Sequence, residues 1–322
     1  MSACTYGFIC VSLFPDLVVV PARLAHTPGC FFPSSPGSFQ IFLDSRPLRH
    51  PTTKEIIRVP LSKPHLANAI ALEWDQLMSA QQATKPHLIP LTSLLCRALD
   101  IGEDDAAAAA ATGANAVEPG PIRAGIATTL LRYLDTDSLL CWAPQVHRDD
   151  FRDSSGRSLR DCQEREAASV VSFLTTRVWP GVSIVPVLDG ESIMPRQQEP
   201  GTRDVIRGWI LELTSFELAG LERAVLAGKS LLCGGRLLVE WSEGPAGVVM
   251  GGGGKTEDAG LLEADRFGVE KAARTASLEV DWQISRWGEV EDTHDVEKED
   301  VRRQLGSVVL LVAGTGGASK AN

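Results

Sequence analysis

The chain has 322 residues, of which 44% are hydrophobic, so it can bury a sizeable core in one large or two modest domains. Its 31 Lys and Arg residues against 41 Asp and Glu give a formal net charge of -10, which opposes binding to phosphate backbones and to anionic lipid. Composition therefore argues against nucleic acid as a partner.

The cysteines and the apolar runs indicate the environment of the chain. The seven cysteines are scattered, odd in number and without a C-x-x-C pair, so we interpret them as reduced thiols. No apolar run reaches the roughly 18 residues that would span a bilayer, because Pro15 and Asp16 interrupt the longest candidate. We expect a soluble protein without membrane insertion.

Residues 1–33 are a poor targeting signal. A mitochondrial presequence is amphipathic and rich in Arg, whereas this segment holds only Arg23 and one acid, Asp16. Three interpretations stay open: a degenerate presequence, a disordered tail, or a misassigned N-terminus. Gly, Pro and Ser are dense from Pro28 to Ser38, so we expect ordered structure to begin near Phe39.

Residues 34–90 are predicted to form a small strand-rich domain. Phe39–Leu43 and Ile56–Val59 are typical of an antiparallel strand pair, with Asp44 to Thr53 as the connecting turn and loop. Ser62 can cap a following helix. Its apolar positions recur at spacings of four, four and three, which places them on one face: Leu66, Ile70, Trp74 and Leu77.

From residue 91 the apolar periodicity is almost entirely helical, which predicts a second, larger domain over 91–314 and a flexible tail over 315–322. The fold class is therefore α+β: a small domain of antiparallel strands with a helix, then a mainly α-helical domain. The segments 103–121 and 242–260 lack large apolar periodicity, and we interpret both as insertions that form loops.

Apolar stripes predict the helices of the second domain. Ile122, Ile126, Leu130 and Leu134 step by four and stop at a turn of Asp135, Thr136 and Asp137. Helices are also predicted over 159–179, 202–213, 216–241, 269–287 and 301–312, with an extended segment at 182–187. We expect 216–241 to be one buried central helix whose glycines permit close packing.

Two segments invite catalytic interpretations, and both fit them poorly. Gly251–Thr256 has the Gly-Lys-Thr ending of a phosphate loop, but Val249 occupies the position of its first glycine, so we expect a flexible linker. Residues 289–295 hold four carboxylates and His294, but their spacing matches no metal loop. The sequence identifies no catalytic residue, metal site or cofactor.

Two tryptophans lie on apolar stripes, Trp74 and Trp287, and a tryptophan there is more often core than an exposed anchor. Each has a polar neighbour on its flank, Glu73 and Gln283. A polar residue beside an aromatic anchor is common at interfaces, although a solvated helix face accounts for it almost as well.

Six segments resemble, in order, the family of mitochondrial and α-proteobacterial ATP synthase assembly factors of the assembly factor 2 type. They are FLDSRPLRHP, LANAIALEWDQ, PLTSLLCRALD, LLRYLDTDSLLCW, ELAGLERAVLAGKSLL and SLEVDWQISRWGEVEDTHDVEKEDVRRQL. The family has an aromatic-rich strand before the first segment, and residues 1–38 hold no good copy of it.

The resemblance implies a chaperone without catalytic activity that holds the unassembled α subunit of the F-type catalytic head. It implies the mitochondrial matrix and a single client surface, hence a monomer. For client binding it points to Glu279, Gln283, Trp287, Gly288, Glu289 and Asp292. The other characteristic positions are structural: Arg46, Pro47, Leu48, Glu73, Trp74, Asp75, Tyr133, Asp135, Asp137 and Ser230.

Two other functions remain as alternatives. One is a metal- or nucleotide-dependent enzyme that uses the acidic segment 289–295 or the Gly-rich segment. The other is a helical scaffold for a different partner.

Overall fold

A computed structural model of the chain describes residues 17–20, 37–43, 46–112, 119–145, 151–247, 266–290 and 293–314. The chain divides into two compact units, and the boundary between them lies between Ser93 and Leu94. The predicted tail over 315–322 and the Gly251–Thr256 segment lie outside the described residues.

The first unit contains a small antiparallel sheet centred on β2. This strand pairs with each of the other three, and the bounds are β1 Leu17–Val20, β2 Ser38–Leu43, β3 Arg46–Pro47 and β4 Val59–Pro60. The predicted antiparallel pairing is confirmed by the register Phe39 opposite Val59. The second strand is shorter than predicted, because Ile56 pairs instead with Arg49 as an isolated bridge.

Strand β1 corrects two expectations. Ordered structure was expected to begin near Phe39, yet Leu17 lies opposite Leu43 and Val20 opposite Gln40. A run of Val residues supplies the extended propensity, and the edge of β2 supplies the hydrogen-bonding partner. Part of the predicted presequence or tail is therefore a strand. A separate correction concerns Arg46–Pro47, which was predicted as loop and forms β3.

Helix α1 (Pro64–Asp75) packs its apolar stripe inward as predicted. Leu66 and Ile70 are fully buried, whereas Leu72 on the other side of the helix is 61% exposed. The predicted cap is wrong: Lys63 occupies the N-cap without a side-chain hydrogen bond, and Pro64 begins the helix. Proline at this position has its φ angle set for a helix and lacks an N–H that would otherwise be unsatisfied.

Helix α2 runs from Pro90 to Thr112, so the predicted loop at 103–121 is helical up to Thr112. Six consecutive alanines carry the highest helix propensity, which explains how the helix continues without large apolar anchors. Helix α3 (Pro121–Leu134) then buries Ile126, Leu130 and Leu134 as its stripe predicts.

Two further helices confirm their predicted positions, α4 (Leu159–Arg177) and α5 (Pro200–Glu212). Ser158 caps α4 through a capping box with Asp161, which satisfies backbone N–H groups at the helix start. The segment 182–187 between the two helices contains no strand, and only Leu188 beyond it bridges to Cys141.

The predicted central helix over 216–241 is two helices, α6 (Ser215–Gly228) and α7 (Leu231–Trp241). Lys229 adopts a left-handed conformation with φ 51°, and Ser230 accepts a hydrogen bond from Cys233 N as the cap of α7. The glycines do permit close packing: a Cβ on Gly220 would lie 3.0 Å from Val312 Cγ1, and one on Gly234 would lie 3.0 Å from Val225 Cγ2.

The predicted helix over 269–287 also divides in two, at Ser277. The last three helices of the described chain are α8 (Val269–Ala276), α9 (Leu278–Trp287) and α10 (His294–Ala313). Helix α10 packs against α6, and its stripe of Leu305, Val308 and Val312 is buried as predicted. No helix of the described residues is long and apolar enough to cross a membrane.

Candidate functional site

Helix α9 presents a mixed polar and apolar face to solvent. Glu279, Gln283 and Trp287 step by four residues, and Val280 lies seven residues before Trp287, so these four side chains share one face. Gln283 Nε2 donates to Glu279 Oε1 at 3.3 Å. Trp287 is 71% exposed and Val280 38% exposed, so the expectation that Trp287 is core is wrong.

The buried apolar stripe of α8 ends at the break between the two helices, at Ser277. If the helix had continued from α8, Val280, Ile284 and Trp287 would have extended the buried stripe that includes Ala273. Ser277, with φ -101° and ψ 13°, separates the two helices, and none of the residues of α9 is buried. An amphipathic helix without a buried residue leaves its apolar side chains available for another molecule.

The inner side of α9 is held by a few specific contacts. The ring of Trp282 meets that of Phe151 edge to face, with centroids 5.3 Å apart. Asp281 Oδ1 lies 3.7 Å from Lys298 Nζ on α10. These contacts orient α9 and leave the Glu279 face free of them.

The turn after α9 continues the exposed surface. Gly288 has φ 92°, a conformation that side-chain-bearing residues rarely adopt, and it ends the helix. Glu289 is exposed and Val290 is 57% exposed. Val290 N donates to His294 Nδ1 at 3.1 Å, which ties the turn to the start of α10. Asp292, predicted with this site, lies outside the described residues.

A cleft of about 310 Å³ lies beside the α9 face. Its lining includes Glu279 and Gln283 of α9, Glu297 of α10, and also Lys229 and Ser138. The exposed helix face therefore adjoins a concavity with both carboxylate and ammonium groups. A concavity next to an aromatic side chain can accept a protruding side chain of a bound protein.

Asp137 and Ser230 lie next to residues that line this cleft. Asp137 is fully buried, and its carboxylate accepts from Leu139 N and Leu232 N, both at 3.0 Å. It thereby joins the turn before residue 141 to the N-terminus of α7. Burial raises the pKa of the Asp137 carboxyl to about 6, against the hydrogen bonds from Ser230 and three backbone N–H groups, which lower it.

The neighbouring motif residues make contacts within the helical unit. Asp135 pairs with Arg203 and so connects the end of α3 to α5. Tyr133 is half-buried on α3, and its carbonyl accepts from Thr136 N. The structure places these residues at the end of α3, close in sequence to the Asp137 support.

Two motif residues of the first unit, Glu73 and Trp74, hydrogen-bond to the start of α2. Glu73 accepts from Leu91 N at 2.7 Å and Thr92 N at 2.9 Å, and so caps α2. Trp74 is half-buried, and its Nε1 donates to Thr92 Oγ1 at 2.8 Å. Asp75 is exposed at the end of α1.

Residues Arg46–Leu48 of the same motif set follow β2. Arg46 and Pro47 form β3, and Leu48 is buried. Leu48 N donates to Ile41 O at 2.8 Å, and Leu48 O accepts from Ile57 N at 2.9 Å. This segment therefore ties the loop to the sheet.

Three buried charged residues were missed from the sequence: Glu217, Arg123 and Glu240, the last of which pairs with Arg236. Glu217 forms a capping box with Thr214, and its second oxygen accepts from Ser242 Oγ at 2.6 Å and Ala246 N at 2.9 Å. Arg123 contacts Asp105 and two carbonyls at the end of α5. The Thr-x-x-Glu pattern was a signal for the first, whereas nothing local indicates the second.

Within the described ranges, no three His, Cys, Asp or Glu residues are placed to hold a metal ion. Burial raises the pKa of the Cys96 thiol to about 12, and it also raises that of Cys141, so these thiols are poor nucleophiles near pH 7. The arrangement at α9 is suited to binding a protein surface, because it combines an exposed aromatic ring, a carboxylate and an amide on one helix.

Comparison with known proteins gives a consistent set of relatives. Residues 27–175 match the sequence model of a family described as "ATP12 chaperone protein". The chain is 31% identical over 276 residues to "Protein atp12, mitochondrial" of Schizosaccharomyces pombe, which covers 85% of this chain and 77% of that protein. It is also 31% identical over 286 residues to "Protein ATP12, mitochondrial" of Saccharomyces cerevisiae, covering 85% and 78%.

Solved structures share the fold. Atp12 from Paracoccus denitrificans superposes with a TM-score of 0.56 at 19% identity, over 94% of this chain and 96% of that one. A point mutant of the P. denitrificans protein gives a TM-score of 0.57 at 20% identity, over 88% and 93%.

Proposed function

Because the chain belongs to the ATP12 chaperone family, we propose that it binds the unassembled α subunit of the F-type ATP synthase and promotes assembly of the catalytic head. The α subunit is the client that the sequence resemblance implies. A subunit awaiting its neighbours exposes apolar surface that promotes aggregation, and a chaperone that covers this surface prevents it.

One observation supports this proposal above the others: α9 holds Glu279, Gln283 and the 71% exposed Trp287 on one face. A large exposed ring is costly to leave in water and is typical of a binding anchor. Gly288, Glu289 and Asp292 follow directly in the chain, and we propose that they belong to the same client-binding surface.

We propose that the chain acts as a monomer in the mitochondrial matrix, without catalysis or a cofactor. Both fungal relatives are named as mitochondrial, and the mitochondrion is the compartment of this chain. A single continuous surface fits a one-to-one complex with the client. The buried and hydrogen-bonded roles of Asp137, Ser230 and Glu73 support their assignment to structure instead of chemistry.

Co-expression of the full chain with a mitochondrial α subunit tests the proposal. We expect α to stay soluble and to co-purify in stoichiometric amount, and to aggregate when expressed alone. Trp287→Ala should reduce the captured α, whereas Ile193→Ala, at a 95% exposed apolar side chain away from α9 in sequence, should not. Equal aggregation of α with and without the folded chain would contradict the proposal.

A further inference from the structure

The acidic charge of the chain is concentrated around α9. Residues 278–299 hold eight carboxylates against two cationic side chains, Arg286 and Lys298, which gives this segment a formal net charge of -6 out of -10 for the whole chain. Helix α9 and the start of α10 are therefore far more acidic than the rest of the protein. A field of this kind attracts partners of the opposite charge.

Cations of the described residues meet part of this charge, and Arg302 on α10 pairs with Glu299 at 2.6 Å. Lys298 lies 3.7 Å from Asp281, on the inner side of α9. Arg286 lies over the ring of Trp287, 5.2 Å from its centroid. Glu279 is exposed, and its described hydrogen bond comes from the neutral amide of Gln283. Glu279 can therefore accept a cationic group from outside.

Apolar side chains are interspersed with the acids on the same surface. Trp287, Val290 and Val296 are 71%, 57% and 60% exposed, and Val280 is 38% exposed. We call the set Glu279, Val280, Gln283, Trp287, Glu289 and Val290 the acidic–aromatic surface. Its apolar part offers burial to a partner, and its acidic part selects among partners by charge.

We propose that the acidic–aromatic surface recognises a cationic segment of the client, in which Arg or Lys side chains flank at least one large apolar residue. The apolar residue packs on Trp287 and Val280, and the cation meets Glu279 at the mouth of the adjoining cleft. This inference rests on the proposed function, because the client is the α subunit named there.

Charge reversal with a matched control tests the inference. Affinity of the purified full chain for the α subunit is measured across a series of NaCl concentrations. Glu279→Lys should weaken binding by about tenfold or more and flatten its salt dependence. Glu212→Lys, which makes the same charge change at an exposed position at the end of α5, should change affinity by less than about twofold.

Overlapping 15-residue peptides that tile the α subunit locate the segment. We expect the peptides that bind the wild-type chain, and lose binding with Glu279→Lys, to carry a net positive charge and a large apolar residue. Binding peptides that are neutral or acidic would overturn the inference, as would equal effects of the two Lys variants. In either case the wild-type chain would still capture α, whereas failure of the proposed function removes that capture altogether.

Discussion

Removal of the Arg123 side chain is expected to destabilise the helical unit strongly. The guanidinium binds Asp105 through Nε, at 3.0 Å to both oxygens, and through Nη2 at 2.6 Å. Its Nη1 donates to Leu211 O at 3.1 Å and to Leu213 O at 2.6 Å. One side chain thus connects α2, α3 and the end of α5.

The magnitude follows from what Arg123→Ala leaves behind. Arg123 is 8% exposed, so the variant would strand the Asp105 carboxylate and two carbonyl groups in a largely buried site. Breaking one side of a buried ion pair costs about 3–5 kcal/mol. The Asp105 side chain is 27% exposed and can regain some water, so we expect the lower part of that range.

Urea unfolding followed by tryptophan fluorescence measures the effect. Arg132→Ala, at an exposed position on the same helix, is the matched control and should change the unfolding free energy by less than about 0.5 kcal/mol. Arg123→Lys keeps the charge but not the planar fork, so an intermediate loss is expected. A loss below about 1 kcal/mol for Arg123→Ala would refute the reasoning.

Three further predictions concern stability. Burial raises the pKa of Asp137 to about 6 from an ordinary value near 4, so the folded state binds this proton more tightly than the unfolded state. The resulting stabilisation is complete below about pH 4 and is lost as pH rises through 6, by up to about 3 kcal/mol. The difference in unfolding free energy between wild type and Asp137→Asn should show this change between pH 4 and 7, and a constant difference would contradict it. Gly220→Ala should lower the free energy of unfolding by about 1–3 kcal/mol, because the new Cβ would lie 3.0 Å from Val312. Gly208→Ala, which has open space around it, is the control and should raise the free energy of unfolding by up to about 1 kcal/mol. Thermal melts compare the two variants. Trp74→Phe removes the donor to Thr92 Oγ1 and should lower the urea midpoint by the equivalent of about 1 kcal/mol, and an unchanged midpoint would show that this bond is unimportant.

Local sequence pattern determined most of the individual elements. The four-residue spacing of Ile126, Leu130 and Leu134 predicts α3, and the stripe ending at Val312 predicts α10, because helix periodicity puts such residues on one buried face. The antiparallel pairing of Phe39 with Val59 was also predictable. Six ordered segments of sequence were enough to identify the family.

Tertiary structure decided where the elements break and which faces are covered. Lys229 and Ser277 each interrupt a stretch whose apolar periodicity continues on the other side. The left-handed turn at Lys229 lies beside a contact with a distant segment, because Asp137 accepts a hydrogen bond from Leu232 N. Residues 17–20 favour an extended conformation, but that they pair with β2 depends on the edge that β2 offers.

The same limit applies to the candidate site. The sequence placed Glu279, Gln283 and Trp287 on one face, since their spacing follows from the helix itself. Whether that face lies in the core or in water depends on what the rest of the chain packs against α9, and there Trp287 is left 71% exposed. Spacing therefore determined which residues share a face, and packing between distant segments determined that this face is exposed to solvent.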